Sequence, residues 1–202
     1  MRQRRRYVVS KRAFDLVVGS LLLLLMLPVL AACALAVRLD SPGPMFFGQL
    51  RTGRDGRRFR MYKFRTMLAN AEELKASLAH LNVLPPPDFK IPNDPRITRV
   101  GRFLRATSLD ELPQLFNVVR GDMSLVGPRP TSFAPSTYEV WHTHRLDVTP
   151  GITGLWQVEG RGAMTFDERL RLDVTYIRRA SLAYDLRLLL RTFGAVVRRS
   201  GL

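Results

Sequence analysis

The sequence predicts an α/β protein: a small, mixed, mostly helical domain behind an N-terminal re-entrant membrane helix, with amphipathic helices suited to a membrane interface. Three observations carry that prediction. An apolar run from Leu16 to Val37 holds no charged residue, contains Pro28 and has basic residues on both flanks. Apolar residues recur at helical spacing in several later stretches. A short strand pattern, Arg60 to Met67, lies between turn-forming segments. The expected division is residues 1–40 as basic tail and anchor and residues 41–202 as the domain.

The bulk properties agree. A chain of 202 residues suits one domain plus an appendage, and 46% hydrophobic residues supply a core. A formal net charge of +15 and a pI near 11.3 call for an anionic partner: phospholipid headgroups, nucleic acid or phosphorylated substrates. The single cysteine, Cys33, excludes an internal disulfide and a cysteine-only metal site.

In chain order, the first segment is basic, with Arg2, Arg4, Arg5, Arg6, Lys11 and Arg12. Such a tail is either solvated or drawn to anionic lipid at about 1 kcal/mol per side chain. The following run, about 22 residues, is long enough to cross a bilayer. Pro28 opposes a simple span because it removes a backbone hydrogen bond and crowds the Leu24 carbonyl. Arg38, Arg51, Arg54, Arg57 and Arg58 follow the run, so both flanks favour the cytoplasmic side. Two arms broken at Pro28 would each be too short to cross about 30 Å of hydrocarbon, which suits a re-entrant hairpin. Leu30-Ala31-Ala32-Cys33 also has the look of a lipoprotein signal, but cleavage there would place a basic, disulfide-free domain outside the cytosol.

Ser41-Pro42-Gly43-Pro44 is a turn cluster and the expected domain boundary. Arg51 to Arg58 reads as a hairpin turn. In the strand that follows, period-two geometry puts Lys63 and Arg65 on one face, either a solvent-facing basic edge or part of a site. Ala69 to Leu81 reads as a short amphipathic helix, and Pro85 to Pro95 as a proline loop. Asp147 to Gly162 reads as short strands and turns. His142 and His144 lack a partner at ligand spacing and read as surface residues. Phe166 to Arg179 and Leu182 to Val197 read as amphipathic helices, the second packing in the core or lying at the interface.

The chemistry concentrates between Arg105 and Pro130. Asp110 and Glu111 are adjacent, and Ser108 with Glu111 has the form of a capping box. Pro113 belongs in a first turn, which would place both carboxylates in the positive field of a helix N-terminus. Capping alone accounts for such a pair. Its setting asks for more: Arg102, Arg105, Arg120 and Arg129 crowd it, and Gly127-Pro128-Arg129-Pro130 is a rigid turn presenting a guanidinium. A carboxylate nucleophile, a divalent-metal site and a fixed phosphate clamp are the parts that phosphoryl transfer needs.

These residues carry a resemblance. SLDELPQLFNVVRGDMSLVGPRP, Ser108 to Pro130, resembles the signature of the monotopic phosphoglycosyl transferases, the bacterial sugar transferase family. The likeness extends to Lys11–Asp15, Ser41–Pro44, Tyr62–Met67, Pro150–Arg161, Asp167–Ile177 and Asp185-Leu186, in order along nearly the whole chain. It implies transfer of a sugar-1-phosphate from a UDP-sugar to a polyprenol phosphate, undecaprenyl phosphate, with release of UMP. The membrane lipid would bound a monotopic enzyme at the cytoplasmic face of the bacterial inner membrane. Asp110 is then the nucleophile, and Glu111, with Asp110, a holder of Mg²⁺. Lys63, Arg65, Arg105, Arg129 and Arg161 become substrate-binding residues, and Asp173 a second-rank site residue. No further long apolar run is present, so a multi-span amino half is not expected.

A membrane-tethered basic protein that binds nucleic acid or anionic lipid is the competing class. Net charge supports it equally. It does not explain an acidic pair among arginines, and aromatics are not interleaved with the basic residues as single-strand binding requires, so no nucleic acid is expected.

Overall fold

Helix α1 (Arg2–Asp40) is 39 residues long, about 58 Å at 1.5 Å per residue. The computed structural model describes residues 2–83, 89–134, 136, 138–160 and 164–197, without the side chains of residues 2–5, 196 and 197. Pro28 does not end α1, which remains α-helical through it. Beyond the proline, packing takes over from the missing bond. Leu30, Cys33 and Val37 bury one face against Phe64 and Leu104, at helical spacing. Before it, Phe14, Val18, Leu22 and Leu23 pack on the main core. The opposite face leaves Leu21, Leu24, Leu25, Leu35 and Leu39 exposed.

Strand β1 (Phe46–Thr52) pairs antiparallel with β2 (Arg58–Phe64), Phe46 opposite Phe64 and Thr52 opposite Arg58. The connection turns through Asp55 and Gly56, at φ of 54° and 74°. Helix α2 (Arg99–Ala106) is capped by Thr98 and lies so close to β2's exit that a Cβ on Gly101 would sit 2.1 Å from the Thr66 carbonyl oxygen. Helix α3 (Gln114–Arg120) leads through Gly121, in the left-handed region, to β3 (Ser124–Val126). Strand β4 (Gly151–Thr153) pairs parallel with β3, and a Cβ on Gly151 would meet the Gly127 nitrogen at 2.0 Å. Then follow α4 (Leu155–Glu159), α5 (Phe166–Arg179) and α6 (Leu182–Val197).

The main core gathers Met61, Leu115, Val118, Met123, Leu125, Val126, Tyr176 and Leu188. Polar ties fix α1 to it. Asp15 accepts from Ser124 Oγ at 2.9 Å and the Leu125 amide at 3.0 Å. Arg12 donates to the Val118 and Val119 carbonyls at 2.7 and 2.8 Å, capping α3. Lys11 and Tyr7 reach Asp185 on α6 at 2.7 and 2.9 Å. Part of the basic tail is thus internal scaffold, not lipid-facing charge.

Three local expectations are corrected. Residues 69–81 form only 3-10 turns at Glu73–Lys75 and Ala79–Leu81. Leu74 and Leu78 are only half-buried, too little to hold a helix that short. His142 is half-buried, with its ring edge-on to Trp141 and Phe166. Arg65 does not share a face with Lys63, because β2 ends at Phe64. Its guanidinium instead closes the end of α1: Nη2 donates to the Ser41 carbonyl at 2.7 Å, Ser41 Oγ at 3.0 Å and the Val37 carbonyl at 3.3 Å, and Nη1 to the Pro42 carbonyl.

Arg65→Ala therefore strips donors from the buried Val37 and Ser41 carbonyls and from the Pro42 carbonyl, and should lower stability by about 2–4 kcal/mol, read as an earlier thermal transition in detergent. Arg65→Lys should recover only part, lacking the fork. A transition unchanged in Arg65→Ala would contradict this role.

Candidate active site

The acidic pair sits on a 3-10 turn, Leu109–Glu111, not inside the helix that follows. Ser108 enters it at φ 58°, an uncommon conformation for a non-glycine residue, and makes no side-chain cap. The expected capping box is absent, and Pro113 stands at the N-cap of α3. Leu109 and Leu112 root the turn, packing on the α1–α2 cluster, and Leu112 reaches the main core as well. Asn117 of α3 aligns β2 beside the turn: its Oδ1 accepts from the Tyr62 amide at 3.0 Å and its Nδ2 donates to the Arg60 carbonyl at 2.8 Å.

That alignment delivers Lys63. Its Nζ lies 2.7 Å from Glu111 Oε1 and 3.7 Å from Asp110 Oδ2. Arg129 brings the opposite side, its Nη1 donating to Glu111 Oε2 at 3.2 Å and its Nη2 to Oε1. Both oxygens of Glu111 are thus committed. Burial alone would raise its pKa, but Arg129 and Lys63 outweigh burial and hold the carboxyl well below the usual range. Asp110 is 8% exposed and makes no hydrogen bond among the described residues. Burial pushes its carboxyl up, only partly offset by Lys63, with the charge on Glu111 pushing the same way. Two adjacent carboxylates therefore differ in kind: one is saturated and firmly ionised, the other uncommitted and reluctant to ionise.

Of the other expected site residues, Arg105 is near. Its Nε donates to Thr66 Oγ1 at 2.9 Å, and its terminal nitrogens make no hydrogen bond among the described residues. Burial lowers its pKa while the Asp110 charge raises it. Arg65 is taken up at the end of α1, as above. Asp173 is buried on α5 in an ion pair with Arg145, 2.8 Å apart, away from the acidic pair. Arg161 lies outside the described residues.

Sequence reading missed Arg51 and Gln114. Arg51 belongs by sequence to the expected hairpin turn, yet it lies in β1, its Nη1 donates to the Pro130 carbonyl at 3.1 Å, and burial with neighbouring Arg129 lowers its pKa to about 10. Gln114 is fully buried four residues beyond Asp110, and neither amide atom has a hydrogen-bond partner. Its place in the acidic motif was the available signal.

No group of three or more metal-ligating side chains exists among the described residues. Magnesium does not require one, since it keeps water and takes one or two carboxylates together with substrate phosphates. The uncommitted Asp110 carboxylate fits that demand. Glu111 would join only by giving up part of its hold on Lys63 or Arg129.

A family model described as "Bacterial sugar transferase" matches residues 6–199. The chain is 45% identical over 196 residues to the undecaprenyl-phosphate galactose phosphotransferase of Salmonella typhimurium, 95% of this chain and 41% of that protein. It is 41% identical over 191 residues to the UDP-glucose:undecaprenyl-phosphate glucose-1-phosphate transferase of Escherichia coli, covering 90% of this chain and 39% of that protein. It is 38% identical over 197 residues to the exopolysaccharide production protein ExoY of Rhizobium meliloti, 93% of this chain and 85% of that protein. The chain thus spans about two-fifths of the first two relatives' length.

The contrast between the carboxylates has opposite consequences for stability. A depressed carboxyl stabilises the fold above its unfolded pKa, about 4.3, and loses that contribution as pH falls through the folded value. A raised one opposes folding as pH rises past about 3.9, because ionisation is harder in the fold. At neutral pH Glu111→Gln should therefore destabilise by roughly 1–3 kcal/mol, and Asp110→Asn should raise the melting temperature. Thermal unfolding of both variants in detergent reads the signs directly.

Proposed function

The chain belongs to the bacterial sugar transferase family, and from that premise we propose that it moves a sugar-1-phosphate from a UDP-sugar to a polyprenol phosphate, undecaprenyl phosphate, releasing UMP. The observation that carries this reading is the uncommitted, buried Asp110 carboxylate beside a Glu111 held by Lys63 and Arg129.

In the first half-reaction Asp110 attacks the sugar-bearing phosphorus. The bond from that phosphorus to the bridging oxygen breaks, and its electron pair leaves with UMP. A sugar-phosphoryl-aspartate remains. In the second, an oxygen of the lipid phosphate attacks the same phosphorus, expels the Asp110 carboxylate and forms the lipid diphosphate-sugar. Burial keeps Asp110 unsolvated and so more nucleophilic once ionised, while Lys63 at 3.7 Å partly offsets the cost of ionising it. Arg129 faces the diphosphate from a fixed turn, and the free terminal nitrogens of Arg105 meet phosphate oxygens. Asp110, joined by Glu111 if it loosens its hold on Lys63 or Arg129, would hold Mg²⁺, which would offset phosphate charge.

What supports a membrane setting is α1. Its exposed apolar face, that of α6 (Leu186, Leu190, Phe193) and the exposed Phe46, Phe47 and Leu50 of β1 suit lipid. What supports a monotopic, cytoplasmic-face arrangement is that both ends of α1 pack on one body. Lys11, Arg12 and Asp15 bind it at one end, and Leu30, Cys33 and Val37 at the other. A helix crossing the bilayer would carry one end away from a domain held on one side. Amphipathic α6, with Leu186, Leu190 and Phe193 exposed at helical spacing, suits an interfacial position.

The test is UMP release in membranes with lipid phosphate, Mg²⁺ and several UDP-sugars. Without lipid acceptor, the enzyme should release at most one UMP per site and gain the sugar-phosphate mass on Asp110, seen in the peptide spanning Arg105 to Arg120. Asp110→Asn should abolish burst and adduct. UMP that appears only with both substrates present, and no adduct, would replace the covalent route by direct transfer.

A further inference from the structure

The turn that carries Arg129 has its carbonyls held one after another. Pro128 accepts from the Gly151 amide at 2.9 Å, Pro130 from Arg51 Nη1 at 3.1 Å, and Thr131 from the Thr52 amide at 2.9 Å. Between them, the Arg129 carbonyl itself accepts from Arg145 Nη2. Arg145 comes from the 3-10 segment Val140–Asp147 and is 6% exposed. The same Nη2 stands 2.8 Å from Asp173 Oδ2 on α5 without hydrogen-bond geometry, so neither Asp173 oxygen is hydrogen-bonded among the described residues, and burial pushes that carboxyl up to about 7 against the pull of Arg145. α5 is rooted on either side of Asp173 by Leu170 and Tyr176, each 1% exposed.

This arrangement is costly as a stabiliser. A buried ion pair seldom offsets the desolvation of its two charges, and apolar replacement of both members is often neutral or favourable. A buried pair of this kind makes sense if it fixes something. What it fixes is one carbonyl, that of the residue whose guanidinium forks Glu111. Neither Arg145 nor Asp173 contacts Asp110, Glu111 or Lys63 among the described residues.

We infer that the Arg145–Asp173 pair is a positioning device for Arg129: it sets the backbone from which the Arg129 guanidinium meets Glu111 and the sugar-bearing phosphate. Asp173 thereby bears on the reaction through Arg145, two links from the substrate. The inference rests on the transferase reading. Displacing a positioned group by about 1 Å costs on the order of 100-fold in rate.

The experiment uses the full chain in lipid nanodiscs and measures kcat, KM for the UDP-sugar and melting temperature. The variants are Arg145→Lys, Arg129→Lys and the two combined. Arg145→Lys keeps the charge opposite Asp173 but loses the planar fork. It should lower kcat by on the order of 10- to 100-fold with a much smaller change in KM and a melting temperature near wild type. In the Arg129→Lys background it should add little, because the group it positions is already gone. Wild-type kcat in Arg145→Lys, or losses that multiply in the double variant, would overturn the inference. If Arg145→Lys does not fold, Asp173→Asn takes its place under the same criteria, and failure of both to fold marks the pair as purely structural. Wild-type protein that releases UMP while Arg145→Lys is unaffected sinks this inference alone. No UMP from wild type with any UDP-sugar sinks the functional reading and the inference with it.

Discussion

Everything at this site depends on Glu111 being held from two sides. Lys63 arrives from β2 and Arg129 from the turn after β3, and their charges meet on one carboxylate. Without that negative centre the two cations would repel across a partly buried space. With it they stand fixed on either side of the acidic turn. The same saturation separates the fates of the neighbouring acids. Glu111 cannot attack a phosphorus without abandoning its partners, whereas Asp110 has no hydrogen bond to give up. A division of labour between adjacent residues follows from their partners rather than their chemistry.

The fold reads as the means of bringing those three elements together. Asn117 ties α3 to β2, so the strand that bears Lys63 cannot slide against the helix that follows the acidic turn. The glycines at 127 and 151 let β3 and β4 approach closely enough to launch the Arg129 turn. Helix α1 underlies both: Asp15 grips β3 at one end, and Arg65 closes the other. Attaching both ends of the apolar helix to one body places the acidic site and the exposed apolar surface in a fixed relation. For the reaction proposed above, that relation is what the fold has to supply.

Local rules made some of this legible. The helices at Phe166–Arg179 and Leu182–Val197 follow the apolar period residue for residue, because their cores are continuous stripes. The hairpin and the Gly-Pro-Arg-Pro turn announced themselves by turn chemistry. Local rules failed where tertiary partners won. Ser108 and Glu111 have the letters of a capping box, but Glu111 finds stronger partners in Lys63 and Arg129. Lys63 and Arg65 should share a face by period two, but the strand stops between them and Arg65 binds carbonyls of residues 37–42. Arg145 gave no local sign at all. Its importance lies in contacts with Arg129 and Asp173, 16 and 28 positions away by number, and no spacing rule reaches that far.

The most direct test is a carbon-detected NMR titration of the Asp110 and Glu111 carboxyls in the protein, with wild-type resonances assigned through the Asn and Gln variants. The account predicts Asp110 titrating above the ordinary carboxylate range and Glu111 below it. The reverse order, or two ordinary values near 4, would show that Lys63 and Arg129 do not single out Glu111, and would remove the basis for Asp110 as the free carboxylate.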